Sequence, residues 1–410
     1  MTAKLPPVRS AFTDRWLRLT EGLPPPYWAL VVGVFITRAG SFIVPLLFVY
    51  LTQFRGMSLS SAGLVTSLFG AGSLLGTLTG GTLADRIGRK RTMLVSLISG
   101  ALSMVLLGAA RAPWQLALCS MLLGFTGDAY RPAAQALVAD VVEPAHRLKA
   151  FAIQYWAVNL GFTFAAVVGG FMAQRSFTVL FVGDAATTLG LAAIVWKLVP
   201  ETKPTGGQGR KGASLLAPFV DQVFAPFLLL NFLVVLVFLQ HLTGLPADMH
   251  DKGFSTEAFG VVIAANGVLI VVLQSFVMER VKGVPRPVLL AVAAALTGVG
   301  FGVTTWATSI PLYLLSVSVW TLGEIIFAPV NASIVADLSP IEARGRYQGA
   351  FSLTWALAAM VSPAAGPRLM EAIGMRGYWL VCASIGLFTA AAHLLFTSRL
   401  LKAESVESKA

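Results

Sequence analysis

The chain has 410 residues, of which 56% are hydrophobic and 12% charged, and its mean hydropathy is +0.77. Soluble domains are about 45–50% apolar and about 25% charged, so this composition excludes an ordinary soluble protein and predicts a membrane protein. The net charge of +11 would suit a nucleic-acid partner. However, the basic residues are scattered over alternate loops with no compact basic face, so we expect no nucleic-acid binding.

Twelve apolar runs are long enough to cross a bilayer, which takes about 20 residues. In chain order they cover residues 27–51, 61–84, 92–110, 114–139, 149–173, 177–198, 223–247, 256–279, 286–308, 311–336, 347–370 and 376–398. The connections between them are mostly short and leave no room for a soluble domain. The sequence therefore predicts an all-α membrane protein with twelve transmembrane helices.

The placement of Lys and Arg orients these spans. With the N-terminus inside, 22 of the 30 basic residues fall in cytoplasmic segments and 6 in outer ones, while Arg38 and Arg131 lie inside spans. The positive-inside rule then predicts a multi-pass protein of the cytoplasmic (inner) membrane with both termini in the cytoplasm. A signal peptide is not expected, because the first apolar run begins only at Tyr27 and is a full span.

One long connection separates the spans into two groups of six. It is rich in Gly, Pro, Lys and Arg, as in ETKPTGGQGRKG, and is predicted to be a flexible cytoplasmic linker over residues 200–222. It divides the chain into a cytoplasmic N-terminal segment (1–26), a six-helix bundle (27–199), a second bundle (223–399) and a cytoplasmic tail (400–410).

The two groups of spans carry a repeated segment. Residues 132–147 (PAAQALVADVVEPAHR) recur 197 positions later as residues 329–344 (PVNASIVADLSPIEAR), with the Pro, the Val-Ala-Asp triplet and the closing Arg unchanged. A duplicated unit in so apolar a chain indicates a secondary transporter. Asp140 with Arg147, and Asp337 with Arg344, are seven residues apart in each copy and are predicted to form paired hinge or latch contacts.

The loop between the second and third spans reads GGTLADRIGRKR over residues 80–91. It resembles the Gly-x-Leu-Ala-Asp-Arg-x-Gly-Arg-Lys signature of the major facilitator superfamily (MFS). The resemblance implies the MFS fold of two pseudo-symmetric six-helix halves, and a conformational latch formed by Gly81, Asp85, Arg86, Gly88 and Arg89. The alternative interpretation is that the charged residues of this loop only set the membrane topology.

Two further segments resemble the proton-coupled multidrug efflux group typified by LmrP. They are WTLGEIIFAP at residues 320–329 in span 10 and YWAVNLG at residues 155–161 in span 5. The resemblance implies that Glu324 is the functional membrane carboxylate of that group. The sequence departs from the group in two places: no acid follows Gln240 in span 7, and Ala165-Ala166 replaces a Gly-Pro pair in span 5.

Ionisable residues deep in a bilayer cost about 2.5–3.5 kcal/mol on insertion scales, so each is a functional hypothesis by default. Glu324 lies about 20 Å into span 10, near the membrane centre, at a rise of about 1.5 Å per residue. No basic residue lies within one turn, and we predict that Glu324 carries the coupling proton. Asp128 is the second candidate, although its i, i+3 spacing from Arg131 equally fits a structural pair that neutralises itself.

The resemblance also implies that spans 1, 4, 7 and 10 line the central cavity. The candidate cavity residues are Arg38, Arg131, His241, Gln240, Asn159, Trp156, Trp320 and Phe327. For the amides and aromatics, interhelical hydrogen bonds and packing are the alternative roles. Asp184 in span 6 is expected to make a local hydrogen bond, with a functional role as the alternative.

These features together predict a proton-coupled exporter (antiporter) of lipophilic, cationic drug-like compounds that works by alternating access. The alternative is a proton-coupled uptake symporter for an anionic metabolite held by Arg38 and Arg131. The sign of the cavity charge separates the two, and it depends on whether Asp128 cancels Arg131.

The sequence has no nucleophile–base arrangement, metal cluster or phosphate loop, so we expect neither an enzyme nor a cofactor, with the proton gradient as energy source. The expected partners are a small-molecule substrate, protons and membrane lipids, and the chain is expected to act as a monomer.

Overall fold

The structure, a computed structural model, describes residues 21–143, 146–202, 216–340 and 343–407. Over these ranges the chain is built from helices and contains no strand. The predicted N-terminal segment up to residue 20, most of the linker and the last three residues lie outside the described ranges. So does the side chain of Arg344.

The apolar runs of the sequence form the predicted spans. Spans 1 to 6 are Pro25–Phe54, Leu59–Ile87, Arg89–Ala109, Pro113–Val141, Arg147–Ala173 and Phe177–Leu198. Spans 7 to 10 are Phe224–Asp251, Thr256–Arg280, Arg286–Trp306 and Ile310–Leu338. The helix Arg344–Glu407 contains spans 11 and 12, which Gly374 separates with a left-handed φ of 73°. Most boundaries differ from the predicted ones by about 2–4 residues or less.

Ten of the described helices are long and apolar enough to cross a membrane on their own hydropathy. Pro113–Val141, with its Asp and Arg in mid-helix, is not among the ten, and spans 11 and 12 count there as one helix. When Pro113–Val141 is counted as a span and the helix Arg344–Glu407 as two, the described residues agree with the predicted twelve spans.

The first span of each half is broken near its middle. In span 1 a helix of 15 residues, Pro25–Ala39, ends at Gly40, and the chain resumes as the helix Ile43–Val49. In span 7 a helix of 15 residues, Phe224–Phe238, passes through a 3₁₀ turn, Leu239–Leu242, before the helix Gly244–Asp251. Such breaks expose backbone groups inside the membrane domain, where substrates and ions can use them.

The duplication is also visible at the helix starts. Ser58 caps span 2 by accepting a hydrogen bond from the Ser61 backbone N–H, and Ser255 caps span 8 by accepting one from Ala258. The two serines are 197 residues apart, the offset of the repeated segment. Each satisfies one of the backbone donors that a helix start leaves unpaired.

Two faces of the membrane domain are named here by their connections. Among the described residues, the linker face carries 88, 143, 146, 199–202, 216–224, 281–285, 339–340 and 343. The hairpin face carries residues 55–58, 110–112, 174–176, 252–255, 307–309 and 374.

Backbone-to-backbone contacts join the two halves along spans 2 and 11. A Cβ atom added at Gly63 would lie 2.2 Å from the carbonyl oxygen of Pro363, and one at Gly70 would lie 2.4 Å from that of Ala359. Between them, the hydroxyl of Ser67 donates to the Met360 carbonyl at 2.5 Å. Small residues permit this approach, which supplies the packing that holds helices together in lipid.

Spans 5 and 8 form the equivalent contact on the other side of the interface, where a Cβ at Gly170 would lie 3.0 Å from the Cα of Gly260. Nearer the hairpin face, the Ser60 hydroxyl and backbone N–H donate to Glu371, and the Thr256 hydroxyl donates to Gln53. These contacts join the two halves near the hairpin face.

We predict that Gly70→Ala shifts the protein away from this conformation. The added methyl group would overlap the Ala359 carbonyl, and overpacking of this kind costs about 1–3 kcal/mol, where about 1.4 kcal/mol changes a population tenfold. Distances between spin labels at the exposed Arg91 and Lys282, one on each half, should therefore redistribute. Gly190→Ala is the matched control, because its Cβ meets no atom within 4 Å. An unchanged distribution for Gly70→Ala contradicts the prediction.

Candidate functional site

Glu324 opens into a cavity of about 230 Å³ in the C-terminal half. Half of its lining residues are aromatic, and none of them is basic. The cavity is lined by Tyr155, Val234, Phe238, Thr297, Glu324, Phe327, Ala328 and Trp355. Tyr155 belongs to span 5, so the N-terminal half contributes to the wall of a cavity that otherwise lies in the C-terminal half.

The Thr-Leu-Gly-Glu segment of span 10 positions this carboxylate. The Nδ2 of Asn266 in span 8 donates to Glu324 Oε2 at 2.6 Å and to the Thr321 hydroxyl oxygen at 3.1 Å. Gly323 lets span 10 approach span 9, since a Cβ there would lie 2.7 Å from the Ala293 carbonyl oxygen. The carboxylate therefore has a neutral amide partner, which orients it without cancelling its charge.

Asn266 was not among the predicted site residues. It is a buried amide in an apolar span, and only its position opposite Glu324 distinguishes it from the other amides of the chain.

A second cavity, of about 130 Å³, lies in the N-terminal half and is more polar. Arg38, Asp128, Arg131 and Asp184 all line it. Asp128 and Arg131 form an ion pair of 2.7 Å between Oδ1 and Nε, and the Ser73 hydroxyl donates to the other oxygen of Asp128. Asp128 thus has both oxygens occupied, so the pairing that the i, i+3 spacing allowed is present.

Arg38 and Asp184 lie on either side of the break in span 1. The Oδ2 of Asp184 accepts a hydrogen bond from the backbone N–H of Ile43 at 3.2 Å, as expected of a local structural contact. Arg38 is close packed against Gly161 of span 5, and its Nε is buried without a hydrogen-bond partner.

Three predicted cavity residues are packed in the core instead. Trp320 is wholly buried and stacks on Phe301, with ring centroids 5.6 Å apart. His241 stacks on the opposite side of Trp320 and its Nδ1 lies 2.7 Å from the Phe238 carbonyl oxygen. Gln240 accepts hydrogen bonds from the hydroxyls of Tyr378 and Thr243. Lying on spans 7 and 10 did not bring these side chains to either described cavity, because only one side of each helix faces it.

The remaining aromatic and amide candidates differ in whether their side chains line the Glu324 cavity. Phe327 lines the Glu324 cavity, as predicted. Asn159 is turned back onto its own helix, where it donates to the Tyr155 carbonyl at 2.9 Å. Trp156 is 48% exposed and does not line that cavity, whereas its neighbour Tyr155 does.

The predicted latch forms a cluster at the linker face. Arg89 is buried and pairs with Asp85 at 2.6 Å and with Asp140 at 3.5 Å. Gly88 adopts a left-handed φ of 105° with no room for a Cβ, because the carboxylate of Glu201 lies against it. Glu201 in turn accepts the backbone N–H groups of Lys90 and Arg91 at the start of span 3.

Arg86 is exposed beside this cluster. The close helix approach in this region is made by Gly80, whose Cβ would lie 2.2 Å from the Ala129 carbonyl oxygen, whereas Gly81 has ordinary clearance from Pro132.

The predicted pairing of Asp140 with Arg147 is wrong for this conformation. Arg147 donates instead to the backbone carbonyls of Ala139 at 2.5 Å and Val142 at 3.2 Å, satisfying acceptors that the end of span 4 leaves free. Asp140 pairs with Arg89 and accepts a hydrogen bond from Thr202. Asp337, expected to pair with Arg344, makes an ion pair with Arg286 of span 9.

Within the described ranges, no group of three or more His, Cys, Asp or Glu side chains is placed to hold a metal ion. Two six-span halves with broken first spans and ionisable groups in cavities between helices are the architecture of a secondary transporter.

Comparison with known proteins identifies the family. A sequence model of the Major Facilitator Superfamily matches residues 30–331 and 322–410, so the chain belongs to that superfamily. Its relatives are transporters and not enzymes.

Two named relatives and one solved structure illustrate the likeness. The chain is 24% identical over 373 residues to a Na(+), Li(+), K(+)/H(+) antiporter of Planococcus maritimus, covering 82% of this chain and 88% of the relative. It is 23% identical over 377 residues to the multidrug resistance protein MdtH of Klebsiella pneumoniae (strain 342), covering 88% and 92%. The crystal structure of the nucleoside transporter NupG superposes with a TM-score of 0.74 at 15% identity, covering 91% of this chain and 99% of that one.

A double-mutant cycle tests the pair in span 4. Asp128→Asn and Arg131→Gln should each lower the melting temperature, because each leaves the other charge without its partner, and the double variant should recover part of the loss. Since Arg131 is about half exposed, we expect a coupling energy of about 0.5–3 kcal/mol. The exposed pair Glu279–Lys282, put through the same cycle, should give about 0.2–1 kcal/mol. Purely additive losses at Asp128 and Arg131 would show that the two charges do not stabilise each other.

Proposed function

We propose that this transporter exports lipophilic cations in exchange for protons, with Glu324 as the carboxylate that both ligands use. The observation that carries the proposal is the chemistry around Glu324: one carboxylate, a neutral amide partner and four aromatic rings, with no basic residue in the wall of the cavity. An acidic group among aromatic faces attracts cations by charge and by the ring quadrupole, and it repels anions.

The charges of the second cavity support cations over anions. Arg131 is already paired with Asp128, so the anion site that the symporter hypothesis requires is reduced to Arg38. With every group ionised, the two cavities together hold two arginines and three carboxylates, Asp128, Asp184 and Glu324. The N-terminal cavity is then neutral and the C-terminal one negative, so an anionic metabolite would meet no net positive charge in either.

The names of two relatives are consistent with this proposal. One is called a cation/H(+) antiporter and the other a multidrug resistance protein. Each is less than a third identical to this chain, so they support the class of transport and leave the substrate to the chemistry of the site.

The proposed transport cycle follows from the composition of the cavity wall, to which both halves contribute. Proton and cation compete for the one carboxylate, so binding of either displaces the other. Because Tyr155 comes from span 5 and Glu324 from span 10, rocking of the halves changes the distance between them and remodels the wall of the site. We place the linker face in the cytoplasm, as the positive-inside rule predicts. Because side chains of the two halves are hydrogen-bonded to each other near the hairpin face, we infer that this conformation receives substrate from the cytoplasm.

Glu324→Gln is the direct test. The amide keeps the size and hydrogen-bonding capacity of the side chain but binds no proton, so transport of a lipophilic cation driven by a pH gradient should fall by about tenfold or more in proteoliposomes. Glu279→Gln is the control, because Glu279 is exposed and, among the described residues, forms its ion pair with Lys282 alone. If the Glu324 variant still accumulates the cation at the rate of the unaltered protein, the coupling role is wrong. Accumulation of organic anions in place of cations would favour the symporter.

A further inference from the structure

We propose that Asp184 is a second proton-binding site of this transporter, located beside the break in span 1. The inference rests on the proposed proton exchange at Glu324, and it adds a second carboxyl group, in the other half, that binds and releases a proton during the same cycle.

The surroundings of Asp184 give a proton access to it. The residue is only 2% exposed, yet it lines the N-terminal cavity of about 130 Å³, a volume large enough for several water molecules. The cavity wall also carries hydroxyl groups that can hydrogen-bond such water, those of Thr37, Ser41, Ser96 and Thr188. A buried carboxyl group next to water can exchange a proton, which one sealed in an apolar core cannot do.

Asp184 also lacks the ion pair that would fix its charge. Within the described residues, no Lys, Arg or His lies within ion-pair distance of it, whereas Asp128 in the same cavity is paired at 2.7 Å. The titratable groups around it are Arg38 from span 1 and Asp128, Tyr130 and Arg131 from span 4. Spans 2 and 3 contribute Phe69, Ser96, Leu97, Gly100 and Met104 to the wall, and span 5 contributes no lining residue.

A purely structural contact would not require a carboxyl group. At the equivalent break in span 7 the side-chain contacts are neutral: the Gln240 amide oxygen accepts from the hydroxyls of Tyr378 at 2.6 Å and Thr243 at 3.1 Å, and its Nε2 donates to the Leu236 backbone carbonyl at 3.2 Å. The break in span 1 is held by Asp184, which accepts from the Ile43 backbone N–H. The break in span 7 thus has an uncharged amide beside it, whereas the break in span 1 has an acid that can also carry a proton.

The position of the acid connects proton binding to the shape of span 1. Protonation weakens the acceptor that Ile43 uses, because a neutral carboxyl group is a poorer hydrogen-bond acceptor than a carboxylate. Arg38 lies on the other side of the break, and its buried Nε has no hydrogen-bond partner in this conformation. Protonation of Asp184 therefore changes two things together: the charge near Arg38, and the hydrogen bond to Ile43 that supports the break in span 1.

The inference changes the charge moved in each cycle, which can be measured. Exchange of one proton for one monovalent cation is electroneutral, whereas exchange of two protons moves one net positive charge. We expect the unaltered protein in proteoliposomes at equal pH to concentrate ethidium when a membrane potential is imposed, positive on the side from which protons enter. For one net charge, about 59 mV balances a tenfold gradient.

Asp184→Asn should abolish this response to the potential while retaining exchange driven by a pH gradient. The carbonyl oxygen of the asparagine can still accept from Ile43, so the break is preserved and only the titratable proton is lost. Asp184→Leu removes the acceptor as well and reports on the structural role. Glu279→Gln should behave as the unaltered protein, and protein-free vesicles correct for passive ethidium entry.

The possible outcomes separate this inference from the proposed function. Electroneutral exchange by the unaltered protein overturns the second site, even if Asp184→Asn does not fold. An Asp184→Asn variant that still responds to the potential also overturns it. If instead the unaltered protein does not exchange ethidium for protons at all, or Glu324→Gln exchanges it normally, the proposed function is wrong in its substrate or its carboxylate.

Discussion

The constraint on which this structure depends is the absence of water in the bilayer, which obliges every buried backbone and side-chain polar group to find a partner inside the protein. The break in span 1 is possible because Asp184 accepts the Ile43 N–H. The mid-helix charges of span 4 are tolerated because Asp128 and Arg131 neutralise each other. The same requirement leads Arg147 to donate to the carbonyls that end span 4.

Two of the candidate functional groups meet this requirement only in part. Glu324 has a neutral amide as its hydrogen-bond partner, and the buried Nε of Arg38 has no partner among the described residues. Both line cavities, where a proton, a water molecule or a substrate can supply the missing partner. In a folded membrane protein an incompletely satisfied polar group is costly, so its persistence next to a cavity indicates a ligand that comes and goes.

The sequence predicted the fold better than the site, for a physical reason. Hydropathy over about 20 residues reports how long a span is, and the repeat and the 80–91 loop report the family, so span number, boundaries and the six-plus-six division could be predicted. The rotation of each helix could not, because spans that are apolar on all sides have no amphipathic face to reveal which residues point inward. Trp320 and His241 were therefore placed in the cavity, and the Asn266–Glu324 and Arg89–Asp140 contacts were missed.

The two halves share features of their backbone structure and differ in the polar side chains that line their cavities. Ser58 and Ser255 cap equivalent helices, the first span of each half is broken after a helix of equal length, and glycines bring the halves together on both sides of the interface. Yet the N-terminal cavity holds paired and unpaired charges, while the C-terminal cavity holds one acid among aromatic rings. Rocking of the two halves requires matching backbones but not matching side chains. The backbone structure could therefore be preserved after duplication while the side chains of the two cavities diverged. The two cavities therefore differ in chemistry as the proposed function requires: one carries ionisable groups of both signs, and the other a single carboxylate among aromatic rings.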